Sequence, residues 1–294
     1  MHKVVEEARD ATLYVVATPI GNLRDISLRA LDILSSADIV VAEDTRVCAR
    51  LLGQLGIKAR VIASHEHNER QSAAGIVKLL AAGNSVALTT DAGTPAISDP
   101  GSEAVARARE QGFAVVPVPG ASALTAALSV SGRRCPRVLF CGFLPARSSE
   151  RRKSIEQLAN VAATLVFYEA PHRIIETVDD LAQILGCDRH IVLCRELTKL
   201  YEEVHACAMG EARAWLEGSP ERVRGEFVLV VDPAQASDNN EEAMEGERVL
   251  ALLVPELPLK KAVALTVEIT GGRKNALYRR ALQLAEERGT NAGE

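Results

Sequence analysis

The 294-residue chain contains no apolar run approaching the roughly 18 residues that a membrane-spanning helix requires. Its opening stretch, MHKVVEEARDATLYVV, sets acidic residues before a short apolar run, unlike a secretory signal peptide, so a soluble, cytoplasmic protein with no membrane partner is expected. Cysteines are few. Six stand at positions 48, 135, 141, 187, 194 and 207, with no two at the spacing of a zinc knuckle or redox couple, which points to free thiols and no metal site. No G-x-G-x-x-G occurs among the 20 glycines, which excludes the Rossmann dinucleotide fingerprint. No G-x-x-x-x-G-K-S/T occurs either, which excludes the usual phosphate-binding loop of ATPases. A formal net charge of −5 excludes a chain that is basic throughout, so any nucleic-acid partner has to be met by local patches.

What is present is an ordinary soluble composition, 47% hydrophobic and 25% charged, long enough for about two domains with a cleft between them. β-branched runs at 12–18, 38–44, 59–64, 85–91 and 114–118 read as strands. They alternate with helical periodicity at 25–37, 45–56, 69–82, 102–111 and 121–131. That alternation predicts a mostly parallel sheet covered on both faces. After SGRRCP the texture changes: strands are expected at 137–143, 164–170, 190–197, 202–210 and 226–232, with helices at about 149–160, 173–185 and 211–217. Two strands within 190–210 have no helix between them, which predicts an antiparallel pair. The expected division is 12–132 and 133–232 as two α/β domains, 233–247 as an acidic, solvated linker, and 248–294 as a C-terminal helical segment broken at Pro255, Pro258 and Gly271-Gly272.

In open α/β sheets ligands gather outside the carboxyl ends of strands. Three irregular stretches fall there: TPIGNLRD (18–25), TTDAGTPAISDPG (89–101) and PGASA (119–123). Each couples glycine, which allows close backbone approach, with proline, which fixes the path. Asp91, at the tip of its strand, is the acid assigned to a ligand cation or hydroxyl. Ser98 and Asp99 are expected to cap the following helix.

These motifs carry a resemblance. VVATPIGNLRDISLRALDIL, VVAEDTR, SHEHNE, TTDAGTPAISDPG, VPVPGASALTAALSVSG, GFLP, FYEAPHRI, RELTKLYEE, LPLKKA and KNALY, in this order from about Leu13 to Leu282, closely resemble the ribosomal RNA small subunit methyltransferase I family of the tetrapyrrole methylase superfamily. The resemblance implies two α/β domains of the class III methyltransferase type plus a small helical segment, usually as a homodimer. It implies S-adenosylmethionine (SAM) as methyl donor and 2'-O-methylation of cytidine 1402 in 16S ribosomal RNA, so the partner is that RNA or the small ribosomal subunit. Asp91, Ala92, Gly93, Thr94 and Ile97 match the family's donor-binding turn, and Ser122, Ala123, Leu144, Tyr168, Leu197 and Gly225 sit in motifs resembling the rest of the pocket. Thr18, Pro19, Gly21 and Asn22 correspond to the loop facing the acceptor. Ala121 stands where the family pattern has a second proline.

A ribose hydroxyl is a weak acid, so a base or polarising cation helps its methylation. RELTKLYEE and FYEAPHR supply charged candidates, of which Glu169, Lys199 and Glu196 are assigned catalytic duty; mutual pairing is the alternative. His65, His67 and His172 lie in different domains without metal spacing, and His172 and Arg173 read as helix-start or substrate contacts. For RNA, PARSSERRK presents Arg147, Arg151, Arg152 and Lys153, and the C-terminal segment presents Lys260, Lys261, Arg273 and Lys274. A tetrapyrrole or diphthine-type methyltransferase, and a non-catalytic RNA-binding relative, are the competing readings.

Overall fold

The structure, a computed structural model, describes residues 7–64, 69–134, 136–234, 238–272 and 274–291. Two compact units divide the chain, Met1–Asp232 and Pro233–Glu294. His65, His67 and Arg273 lie outside the described residues.

The first unit begins with β1 (Thr12–Val16), α1 (Leu28–Ser36), β2 (Ile39–Ala42), α2 (Thr45–Gln54), β3 (Val61–Ala63), α3 (Glu69–Ala81), β4 (Val86–Leu88), α4 (Ser102–Glu110), β5 (Ala114–Val118) and α5 (Ala123–Val130). The strands form one sheet, ordered β3-β2-β4-β1-β5, with every pairing parallel. Period-two alternation sends Tyr14, Val16, Val40 and Ala42 to a core with α1 and α2, while Leu13, Ile39, Val41 and Val86 meet α3 and α4. Burial on both faces is why these strands read as unbroken apolar runs. Side-chain caps start the first two helices: Ser27 accepts from the Ala30 amide and Asp44 from the Arg46 amide.

The unit continues with β6 (Val138–Phe143), α6 (Ser148–Leu158), β7 (Thr164–Glu169), α7 (Ile174–Leu185), β8 (His190–Arg195), β9 (Glu203–Ala208), α8 (Met209–Glu217) and β10 (Phe227–Val231). Their order is β6-β7-β10-β8-β9, parallel only between β6 and β7. The expected antiparallel pair is the β8–β9 hairpin. Leu165, Phe167, Ile191, Leu193 and Leu229 face α6, α7 and α8. The opposite face, Val166, Val192, Val228 and Val230, is covered by Ala123, Leu124 and Ala127 of α5. The last helix of the first α/β half therefore completes the second half's core, which accounts for a single compact unit across residue 132. Because β10 is antiparallel to β7 and β8, its first residue, Phe227, stands beside Glu169 and Arg195 at their carboxyl ends.

The second unit holds α9 (Asp238–Leu253), α10 (Leu259–Thr270) and α11 (Lys274–Asn291), packed on Leu250, Val263, Leu277 and Ala281. Here the structure corrects the sequence reading: the stretch expected to be a linker, 233–247, is helical from Asp238 onward. Glutamate, alanine and methionine are strong helix formers, and acidic residues near a helix start complement its dipole, so an acidic composition did not imply an unstructured chain. Gly271, in the left-handed conformation, ends α10 ahead of α11. No helix among the described residues is long and apolar enough to cross a membrane.

Candidate active site

A cavity of about 360 Å³ opens where the strand ends of the two sheets meet, within the roughly 300–1,000 Å³ range of small-molecule sites. On the side of the first sheet, Ala92, Gly93, Thr94, Ile97, Ser122 and Ala123 line it, with Ile20, Ser98 and Asp99 beside them. On the side of the second sheet stand Phe143, Tyr168, Glu169, Cys194, Leu197, Lys199, Glu226 and Phe227. Eight of the eleven residues assigned to a donor thus border one cavity. Asp91, Leu144 and Gly225 do not. The Asp91 side chain is exposed and accepts from the Asp44 amide at 3.1 Å. Leu144 is packed in the core beneath the second sheet. Gly225 lies behind Glu196, where a Cβ would come within 2.5 Å of the Glu196 side chain.

The loop after β1 is pinned to the loop after β4. Thr18 and Gly93 exchange two backbone hydrogen bonds, of 2.8 and 3.1 Å, and the Thr18 hydroxyl donates to the Thr90 carbonyl. Asn22 caps a short 3-10 turn, Leu23–Asp25. Of this loop Ile20, rather than Thr18, Pro19, Gly21 or Asn22, lines the cavity. Gly21 instead underlies Lys199: a Cβ there would collide with Lys199 Cγ, so the lysine stem crosses bare backbone.

Lys199 Nζ donates to Glu196 Oε1 at 2.8 Å and to Glu226 Oε2 at 2.9 Å. Burial alone would lower the Lys199 pKa, but these hydrogen bonds outweigh it and raise it. Burial likewise works upward on Glu196, and the Lys199 hydrogen bond with the Glu226 amide brings it below the ordinary carboxylate range. Lys199 is therefore a fixed ammonium and Glu196 a fixed carboxylate; neither is poised as a base. Left-handed backbone at Glu196 (φ 51°) and Thr198 (φ 67°) sets this arrangement, a strain that persists only where the surroundings impose it.

Glu169 does not meet the catalytic expectation. Its side chain is fully buried; Oε1 accepts from Arg173 at 2.6 Å and from the Ala170 amide, and Oε2 accepts from the Thr177 hydroxyl. Arg173 also donates to the Leu144 carbonyl, so this carboxylate anchors the cavity wall and holds α7. Arg151, expected to touch RNA, is 1% exposed, with its guanidinium on Asp180 and Glu176. Its place on the inner face of α6, which a count of charges does not reveal, makes it a structural ion pair. Arg152 donates to Gln183 and Asp180, and Arg147 is exposed beside Glu150. Lys260, Lys261 and Lys274 are exposed on the second unit.

Ser98 and Asp99 also depart from expectation. Gly101 stands at the N-cap of α4 and neither residue caps it; both line the cavity, from a loop with left-handed Ala96 (φ 66°) and Ser98 (φ 63°). Burial raises the Asp99 carboxyl, the Thr90 hydrogen bond opposes this, and the charge of Asp91 adds to it. Tyr168 is raised by burial too; its hydroxyl accepts from the Leu124 amide, and its ring meets Phe140 and Phe143 edge-on. The Cys194 thiol, pushed up to about 12 by burial, is an inert part of the wall.

Residues 12–213 match the family described as Tetrapyrrole (Corrin/Porphyrin) Methylases, and residues 240–285 match the RsmI C-terminal HTH domain. The chain is 48% identical to ribosomal RNA small subunit methyltransferase I of Pseudomonas aeruginosa over 92% of its own length and 97% of the relative's. It is 46% identical to the Haemophilus influenzae protein of that name, over 94% of this chain and 98% of that one. Among solved structures it is similar to the cobalamin biosynthetic enzyme cobalt precorrin-4 methyltransferase, at a TM-score of 0.57 and 16% identity over 76% of this chain and 95% of that one. Uroporphyrin III C-methyl transferase from Thermus thermophilus aligns at 0.54 and 18%, covering 75% and 97%. At such identities the structures speak for the fold, whereas the sequence relatives span nearly the whole chain: it belongs to the ribosomal RNA small subunit methyltransferase I family, with a tetrapyrrole methylase fold.

Proposed function

We propose that the chain is a methyltransferase that uses S-adenosylmethionine to methylate the ribose 2'-oxygen of cytidine 1402 in 16S ribosomal RNA, in the cytoplasm. The observation that carries this reading is the cavity, bordered by eight of the residues assigned to the donor and lined largely by apolar groups. Its chemistry fits that donor: Ile97, Phe143, Tyr168 and Leu197 offer apolar walls that exclude water, and Gly93, at φ +87°, brings backbone close without a side chain. Gly93, Thr94, Ile97, Ser122, Ala123, Tyr168 and Leu197 would hold it. The bound donor supplies an electrophilic methyl group on a positively charged sulfur.

The chain's own residues supply position and charge. Lys199, fixed over Gly21 by Glu196 and Glu226, sets a cation beside the acceptor loop, where it steadies negative charge on an incoming oxygen. Exposed Arg147, Lys153, Lys260, Lys261 and Lys274 serve as phosphate contacts; each contact removed should lower the salt slope of RNA binding by about 0.7–0.9. A helix-turn-helix segment favours a nucleic-acid acceptor over a tetrapyrrole. The homodimer reading finds support in β6, an edge strand with exposed Val138 and Leu139. The test is to offer small ribosomal subunits lacking the modification with labelled donor and map 2'-O-methyl groups. Label at cytidine 1402 is expected; label at another site or none overturns the assignment.

A further inference from the structure

Three carboxylates line the cavity and a fourth adjoins it, and they differ in whether a cation holds them. Glu169 is saturated by Arg173, Thr177 and the Ala170 amide. Glu196 and Glu226 share the Lys199 ammonium, and Glu196 also accepts from an amide. Asp99 stands apart. Its Oδ2 accepts from the Thr90 hydroxyl at 3.3 Å, and its Oδ1 has no hydrogen-bond partner among the described residues. Even that one bond is shared, because the single Thr90 hydroxyl proton also reaches the Ala92 carbonyl at 3.1 Å.

The backbone around Asp99 is arranged at a cost. Ala96 and Ser98 occupy left-handed conformations, and no helix cap is gained from them. Space for the loop is left at Gly142, where the β6 register shifts and a Cβ would lie 3.0 Å from the Ser98 hydroxyl. Neither capping nor ion pairing explains a half-buried carboxylate held in an apolar cavity with an open oxygen.

We propose that Asp99 is the catalytic base, taking the proton from the acceptor's ribose hydroxyl as its oxygen is methylated. This rests on the function proposed above. The acceptor oxygen forms the new O–C bond, the C–S electron pair returns to the sulfonium sulfur, which becomes neutral, and the hydroxyl proton passes to Asp99 Oδ1. Burial in the cavity, which raises the Asp99 carboxyl, makes it a stronger base than a solvated aspartate. The titratable groups that line the cavity with Asp99 are Tyr168 and Glu169 from β7, Cys194 from β8, Lys199 from the β8–β9 loop and Glu226 before β10; Glu196 adjoins it, and Asp91, on the loop of Asp99, lies outside the lining. As a base, Asp99 works ionised, so the rate should rise with pH through its pKa and level off above it.

The test compares the wild type, Asp99→Asn and Asp99→Glu in single turnovers on unmodified small ribosomal subunits at saturating SAM, from about pH 4.5 to 8.5, with calorimetric donor binding alongside. Asp99→Asn should slow transfer by about 100-fold or more, lose the acid limb of the profile, and keep donor affinity within about threefold; Asp99→Glu should restore part of the rate and the limb. A rate within about threefold of wild type, a retained acid limb, or a loss traced to donor affinity overturns the assignment while leaving the methyltransferase reading intact. A wild type that transfers no methyl group overturns both.

Discussion

Gly93, lining the cavity after β4, and Gly225, behind Glu196 ahead of β10, share a φ of +87°, yet their surroundings differ. A Cβ at Gly93 would find Ile20 at 3.4 Å, an ordinary contact, whereas one at Gly225 would drive into Glu196 at 2.5 Å. The same contrast runs through both walls. The second sheet's wall is ion-paired: Glu169 holds Arg173, and Glu196 and Glu226 hold Lys199. The first sheet's wall leans on backbone and leaves the Asp99 carboxylate underused. One side is fixed by ion pairs, and the other holds its carboxylate without one.

The sharpest way to break this comparison is to open the ion-paired wall. Glu169→Ala strands Arg173 and should cost about 3–5 kcal/mol in denaturant unfolding, while Asp99→Ala, which strands no charged partner, should stay within about 1 kcal/mol. Equal losses would show that the walls do not differ. Next, alanine at the two glycines separates backbone strain from packing. Gly93→Ala should cost about 1–2 kcal/mol for its left-handed backbone alone, and Gly225→Ala a further 1–3 kcal/mol or so for the clash with Glu196.

The smallest effect carries the clearest sign. Folding raises the Asp99 pKa, so its ionised form is disfavoured in the folded state; Asp99→Asn should melt slightly higher than wild type at neutral pH, the gain fading as pH falls and wild-type Asp99 is protonated. Glu196 is the reverse. Its lowered pKa contributes stability that is present above the unfolded value and lost as pH falls through the folded one, so Glu196→Gln should melt lower at neutral pH and converge with wild type in acid. Melting curves between about pH 3 and 7 resolve both, and shifts of the same sign would erase the distinction.

Strand and helix alternation was legible because local patterning decides it: both sheets and the β8–β9 hairpin follow from apolar runs and turn residues. Glycine and proline at strand ends likewise marked most of the cavity. What stayed hidden depends on partners distant in sequence. Arg151 counts as a surface charge until Asp180 and Glu176, on another helix, are seen to enclose it. Glu169 reads as a free acid until Arg173 and Thr177 are in place. Ser98 and Asp99 looked like caps because the SDPG pattern suits one, and only the left-handed backbone turns them into the cavity.

α5 has a consequence for how the protein can be divided. The chain changes texture near residue 132, but Ala123, Leu124 and Ala127 lie on the Val166, Val192, Val228 and Val230 face. A fragment beginning at 133 would leave a valine-rich sheet face bare, inviting association with other exposed sheets, whereas one beginning just ahead of α5 carries its own cover. The seam along which the first unit could be split, permuted or exchanged with a relative therefore runs through the turn between β5 and α5, before the change that the composition announces.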